Sequence, residues 1–106
     1  MDHILVLQWS TGNRMDYDLL ISCEEALTAI LGSSAEVDGH DWGASEMNMF
    51  ILSNEPEATF ERVKPALQEM NIFDTLRAAY RHIEMDDYTI LAPKAYRLLP
   101  SSKIRP

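Results

Sequence analysis

The sequence predicts a single α+β domain built on an antiparallel sheet, and three observations support this. With 106 residues, of which 46% are apolar, the chain has enough apolar side chains for one core and is too short for two. Apolar residues recur at three- and four-residue steps in two segments, which is typical of amphipathic helices. Short runs rich in strand formers lie before, between and after these segments.

The first part of the chain is predicted to form a strand and a helix. A continuous apolar run predicts a strand at about 3–9 inside the sheet, because alternation is lost where both faces of a strand are covered. After a turn at 10–14, Asp16 or Asp18 can cap a helix that Gly32 ends. The apolar stripe of this helix is predicted to contain Leu20, Cys23, Leu27, Ile30 and Leu31.

A polar hairpin is predicted next, because the apolar period changes to two. Its first strand has a polar face and is expected at an edge of the sheet. With residues 41–45 as the loop, antiparallel pairing places Glu46 opposite His40. The same register places Asn48 opposite Asp38. We therefore expect these four polar side chains to share the face of the sheet that points away from the helices.

The second half of the chain is predicted to form a helix, a strand and a return strand. Pro56 begins the helix, which Pro65 is expected to kink or shorten. Strands are predicted at 75–83 and 88–92, joined by a polar turn. The whole order is that of a ferredoxin-like βαββαβ sandwich, with two helices on one face of an antiparallel sheet and a C-terminal hairpin return strand. This fold serves many functions and so assigns none.

Acidic and basic residues are unevenly distributed along the chain. The net charge is −8, yet residues 1–92 carry all 17 acidic residues against five basic ones, a balance of −12. Residues 93–106 carry four basic residues, three prolines and no acid. We therefore predict one folded domain at 1–92 and a basic tail at 93–106, which folds back on the acidic body or stays loose.

Composition and charge argue against several functional classes. Nucleic acids and anionic membranes require a basic footprint, so neither is expected as a ligand. The start of the chain lacks a basic leader and its apolar run is too short for a signal peptide or a membrane span, which predicts a cytoplasmic protein. The only cysteine, Cys23, is expected to be a buried thiol. No phosphate-binding glycine pattern or serine-hydrolase motif is present, and no cofactor is expected.

The hairpin segment carries a distinctive pattern. Val37–Asn48 reads VDGHDWGASEMN, and Phe50-Ile51 and a helix opening Pro56–Glu61 follow it. This pattern resembles a group of small bacterial ferredoxin-like proteins with a VDGHDxGxxExN hairpin motif. The resemblance covers about residues 3–92. It implies the fold and a soluble bacterial protein, and it implies no activity and no catalytic residue.

The candidate binding site consists of six hairpin residues: Asp38, His40, Asp41, Trp42, Glu46 and Asn48. One hypothesis is a non-enzymatic interaction module of the inhibitor or immunity type. In this hypothesis the acidic hairpin binds a basic protein. Trp42 is the apolar anchor, because it is predicted to lie in a short loop where few residues can cover it. A homodimer is also expected, because a second copy can cover an open sheet face and unpaired strand edges.

The alternative hypothesis is a small enzyme or metal-dependent binder that uses Asp38, His40, Asp41 and Glu46 on the open sheet face. In this hypothesis His40 pairs with Glu46 or Asp38, whose carboxylate would set the tautomer of the ring for acid–base chemistry. Such a catalyst also needs a cation that stabilises the negative charge of the transition state. The candidates, Arg77 and Arg81, belong to a distant part of the sequence. The cluster has one histidine and no HxH or HxxxH pair, so we assign no metal site and no catalytic residue.

Overall fold

The computed structural model describes residues 1–11 and 15–93. The elements in chain order are β1 (His3–Ser10), α1 (Tyr17–Leu31), β2 (Ala35–Trp42), β3 (Glu46–Ser53), α2 (Pro56–Glu69), β4 (Arg77–His82) and β5 (Thr89–Ala92). They form an α+β fold with two helices and one five-stranded antiparallel sheet, in the order β2-β3-β1-β4-β5. This architecture is compatible with a ferredoxin-like sandwich. Most of the predicted 10–14 turn, and the predicted tail beyond Pro93, lie outside the described residues.

Local sequence signals account for both ends of α1. The Asp16 carboxylate accepts a hydrogen bond of 2.8 Å from the Leu19 N–H and so satisfies a donor that the first turn leaves without a partner. At the other end, Gly32 has φ of 55° and donates its N–H to the Thr28 carbonyl. Glycine adopts this left-handed conformation without the penalty that a Cβ brings. Both predicted helix signals are confirmed.

α2 contains an internal proline, Pro65. It begins at Pro56, whose missing N–H costs nothing in the first turn, and it continues past Pro65 to Glu69. The shortening expected at Pro65 is therefore wrong, and the alternative, a kink at Pro65, stays a prediction. Because Phe60 and Leu67 are buried on either side of Pro65, tertiary packing holds the helix together where intrinsic propensity would end it. Within the described residues, no helix is long and apolar enough to cross a membrane.

The main core lies between the two helices and one face of the sheet. β1 is the central strand and pairs with both β3 and β4, which confirms the interior strand that its continuous apolar run predicts. The Trp9 indole N–H donates to the Ile72 carbonyl over 2.8 Å, so this large buried side chain leaves no donor unsatisfied. The core includes the predicted helix residues Leu20, Cys23, Leu27, Leu31, Phe60, Val63 and Leu67, with Ile30 partly buried beside them.

The predicted register of the β2–β3 hairpin is wrong. His40 lies opposite Met49, and Asp41 lies opposite Asn48. Met49 belongs to the core beneath the helices, so His40 points towards the helices, whereas Asp41 points to the opposite face. Glu46 and Asn48, two residues apart on β3, share that opposite face. The polar side chains that were expected on one face are therefore divided between both faces of the sheet.

A bulge in β2 explains this difference. The register shifts between Val37 and Gly39, so Asp38 is one extra residue that moves all later side chains of β2 to the opposite face. Gly39 has φ of 144°, a backbone conformation that residues with a Cβ rarely adopt. The loop also shrinks to 43–45, because β2 extends to Trp42.

Both outer strands carry features that discourage pairing with another sheet. β2 is an edge strand, as predicted, and it combines the bulge with the exposed carboxylates of Glu36 and Asp38. β5 has four residues and its own register shift against β4. Charges, bulges and short length all reduce edge-to-edge association. Support for the predicted homodimer thus comes from the open face of the sheet, and the homodimer stays a prediction.

Leu27→Ala is expected to lower the free energy of unfolding by about 2–5 kcal/mol, because the side chain is fully buried in the main core and its removal leaves a cavity. Urea unfolding followed by circular dichroism measures the loss. Ile30→Ala is the matched control on the same helix, and its smaller burial predicts a smaller loss. Equal losses for the two variants would contradict this description of the core.

Candidate functional site

His40 forms its closest polar contact with a helix residue. Its Nδ1 lies 2.9 Å from Glu24 Oε2 on α1, at hydrogen-bonding distance, and both side chains are partly exposed. A carboxylate at one ring nitrogen favours the tautomer that carries the proton there. The predicted pairing of His40 with Asp38 or Glu46 is wrong, because the bulge turns His40 towards α1.

Two exposed aromatic side chains lie next to this pair. Tyr17, the first residue of α1, is 49% exposed, and Trp42, the last residue of β2, is 44% exposed. Their rings are 5.5 Å apart and nearly perpendicular, and Tyr17 makes a similar contact of 5.7 Å with His40. Edge-to-face packing of this kind orients aromatic rings. We call Tyr17, Glu24, His40 and Trp42 the aromatic–acidic surface.

A shallow groove of about 490 Å³ continues this surface along the seam between α1 and β2. Glu24 and Glu25 are among its walls, and Val37 and Gly39 line the strand side. The groove is open to solvent. The Glu24 carboxylate lies where the groove meets His40. The groove therefore does not enclose a small molecule, unlike a typical ligand pocket.

Two of the other predicted site residues, Glu46 and Asn48, are buried polar residues on the opposite face, whereas Asp41 on that face is partly exposed and Asp38 is exposed at the edge of β2. Asn48 Oδ1 accepts a hydrogen bond of 3.1 Å from Gln8 Nε2, and both side chains are buried. Glu46 is also buried, and its carboxylate accepts a hydrogen bond from the Ser45 hydroxyl. Burial of these groups indicates a structural contribution to the sheet, and it leaves little of Glu46 accessible to a partner.

The two arginines considered as charge stabilisers do not meet His40. Arg77 lies on the open face, where its Nη1 donates to the Ser10 hydroxyl over 3.2 Å. Arg81 donates from one guanidinium nitrogen to three backbone carbonyls, those of residues 82, 83 and 85. Both guanidinium groups therefore stabilise the region around β4, on a face of the sheet that His40 does not share.

In the described part of the chain, no side chains are arranged to bind a metal ion, and the cysteine is not activated for thiol chemistry. Within residues 1–11 and 15–93, no group of three or more His, Cys, Asp or Glu side chains is arranged to hold a metal ion. Cys23 is buried, as predicted, and burial raises the pKa of its thiol to about 12. A thiol of this kind is protonated at neutral pH and is a poor nucleophile.

Sequence reasoning missed Tyr17 and Glu24 as members of the site. One signal could have indicated Glu24, since it follows Leu20 by four residues and precedes Leu27 by three. That spacing places its carboxylate at the border of a buried helical stripe, where it can reach a neighbouring strand. For Tyr17 no comparable signal exists, because its contacts depend on how the start of α1 packs beside the end of β2.

Comparisons with protein-family models, with curated proteins and with solved structures found no match to this chain. The function must therefore be argued from its own residues.

The contact between His40 and Glu24 is expected to contribute a coupling energy of about 0.5–1.5 kcal/mol, because it is a partly buried hydrogen bond to an ionisable group. A double-mutant cycle of His40→Ala and Glu24→Ala, measured by urea unfolding, gives this energy. Glu25→Ala is the matched control, since Glu25 is the exposed neighbour on the same helix. Equal coupling of His40 to both glutamates would contradict the assigned pair.

Gly39→Ala is expected to destabilise the protein by about 1–3 kcal/mol, because an added Cβ is strained at φ of 144°. The space around Gly39 is open, so a steric clash does not explain the loss. If the chain relieves this strain by losing the bulge, His40 turns away from Glu24. The coupling energy between these two residues, measured by the same double-mutant cycle, should then fall. If the Gly39→Ala variant kept the wild-type free energy of unfolding and the wild-type coupling energy, the bulge would not be what directs His40 to Glu24.

Proposed function

We propose that this protein is a non-enzymatic interaction module of the inhibitor or immunity type that binds a basic partner protein. The observation that carries the proposal is the pair of exposed rings of Tyr17 and Trp42, 5.5 Å apart, next to the pair of His40 and Glu24. Aromatic side chains bury a large apolar area on binding and dominate many protein interfaces. Trp42 is the expected anchor, and Tyr17 extends the apolar contact.

The charge distribution supports a basic partner. Residues 1–92 have 17 acidic and five basic residues, and the groove beside the aromatic–acidic surface is bordered by Glu24 and Glu25. Exposed Asp38 adds a third carboxylate at the outer edge of β2. A field of one sign accelerates encounter with an oppositely charged protein, and the steering weakens as salt rises.

The geometry favours this function over the enzymatic alternative. A catalyst built from Asp38, His40, Asp41 and Glu46 needs these groups on one face of the hairpin. The register instead turns His40 towards α1 and Asp41 towards the open face. His40 and Trp42 therefore remain in the proposed binding surface, with Asp38 at its edge. Asp41, Glu46 and Asn48 belong to the other face.

Two further assignments accompany this proposal. We propose a ferredoxin-like sandwich with an added return strand, supported by the order of elements and by the placement of both helices over one sheet face. We also propose a reducing compartment such as the cytoplasm, because the only cysteine is a buried free thiol.

The tagged native protein is expected to recover a basic protein from a lysate of its source organism, and binding of the purified pair then tests the surface. Trp42→Ala should weaken binding by roughly 2 kcal/mol or more, mainly through faster dissociation, because it removes the apolar anchor. Asp38→Asn with Glu25→Gln should mainly slow association and flatten its salt dependence. Surface plasmon resonance at several salt concentrations measures both effects.

Ile83→Ala is the matched control for the anchor. Ile83 is 44% exposed, as Trp42 is, but it follows β4 at the opposite end of the sheet. Its replacement should leave both rate constants unchanged. Equal effects of the Ile83 and Trp42 variants, or a salt-independent association rate, would refute the proposed surface.

A further inference from the structure

The groove between α1 and β2 combines apolar walls with two carboxylates. Val37 on the strand side is partly buried and packs against the main core, and Ala29 is exposed on the helix side. At Gly39 no side chain fills the space, and an added Cβ would meet no atom within 4 Å. Glu24 and Glu25 also line the groove. Apolar surface and negative charge therefore lie side by side in a groove of about 490 Å³.

The Glu24 carboxylate is positioned to accept hydrogen bonds from a ligand in this groove. Its Oε2 lies 2.9 Å from His40 Nδ1, and this contact restricts where the carboxylate can lie. A carboxylate has two oxygens with about four acceptor positions, so a single contact does not exhaust its capacity. Thr28 also lines the groove, but its hydroxyl donates to the Glu24 backbone carbonyl over 2.7 Å. Among these side chains, the carboxylates are therefore the groups that can bind a cation.

We propose that this groove receives an arginine side chain of the basic partner, an inference that rests on the function proposed above. The methylene stem of the arginine lies along Val37 and Ala29, and its guanidinium group donates to the Glu24 carboxylate. Long cationic side chains bury their stems on apolar surface and keep the charged group near water. A groove that is open to solvent and bordered by a carboxylate suits a side chain of this kind.

The surroundings of Glu24 favour arginine over lysine. The Glu24 side chain is only 19% exposed, so a cation that binds it gives up part of its hydration. A guanidinium group is more weakly hydrated than an ammonium group, and its planar donors match the two oxygens of a carboxylate. It also stacks on aromatic rings. The rings of His40 and Tyr17, 5.7 Å apart, follow directly on the Glu24 carboxylate.

A continuous series of contacts joins the groove to the proposed apolar anchor. Trp42 contacts Tyr17, Tyr17 contacts His40, and His40 contacts Glu24 on the groove wall. A partner that covers Trp42 with an apolar side chain can therefore place a neighbouring arginine in the groove. The partner chemistry is thus an apolar residue and an arginine on the same surface.

Short peptides test the groove without the partner. Acetylated Gly-Arg-Gly amide is titrated into the isotope-enriched full chain, and NMR follows the backbone amide peaks. Saturable shifts are expected at Val37 and Gly39, and none at Ala58 on α2. The same peptide with citrulline, which keeps the shape of arginine without its charge, should bind about tenfold more weakly. Equal binding of both peptides, or no saturable shift with the arginine peptide, would overturn the proposal.

The lysine form of the peptide tests the choice of arginine. It should bind about threefold more weakly than the arginine form, because an ammonium group is more strongly hydrated and cannot contact both carboxylate oxygens in one plane. A lysine peptide that bound as tightly as the arginine peptide would contradict the assignment of arginine.

A variant that fills the groove tests where the peptide binds. Ala29→Leu adds an apolar side chain at an exposed position inside α1, and leucine is a good helix former. It should weaken the arginine peptide about fivefold or more, because the stem of the arginine loses its place. Ala58→Leu is the matched control, since Ala58 is an exposed alanine of α2 that does not line the groove. Equal affinities of the two variants for the arginine peptide would refute the proposed position.

The purified basic partner separates this inference from the function on which it rests. Both Trp42→Ala and Ala29→Leu should weaken the complex, whereas Ala58→Leu should not. If Trp42→Ala weakens the complex and Ala29→Leu leaves its dissociation constant unchanged, the proposed function stands and the arginine site is wrong. A lysate that yields no basic protein counts against the proposed function, whereas the peptide titrations decide the arginine site.

Discussion

The register shift at Asp38 determines which residues meet in this molecule. Because side chains alternate along a strand, one extra residue in β2 moves every later side chain to the opposite face of the sheet. His40 therefore reaches Glu24 on α1, and Trp42 reaches Tyr17 at the start of the same helix. Without the shift, these side chains would point to the open face and the aromatic–acidic surface would not exist.

The aromatic–acidic surface, which we propose for recognition, includes residues at the ends of regular elements. Tyr17 and Trp42 are end residues of regular elements, so their backbones are ordered before any partner arrives. Each ring also restricts the other, which reduces the side-chain entropy that binding would otherwise cost. The main core beneath provides the rigidity, and the border of that core provides the exposed apolar area.

Residues 1–92 carry a large excess of acidic over basic side chains. A body with a balance of −12 repels itself, and this repulsion opposes the compact state. The full chain has a net charge of −8, because residues 93–106 add four basic residues and no acid.

The sequence by itself determined the elements and their order, because apolar periodicity, the cap at Asp16 and the glycine stop at Gly32 are local signals. Only the tertiary structure decided the membership of the candidate site. Alternation along β2 predicts a face for each side chain, but a single bulged residue reverses the pattern and leaves no comparable periodic signal. The contact between His40 and Glu24 joins residues 16 positions apart, and it forms only when α1 packs on the sheet.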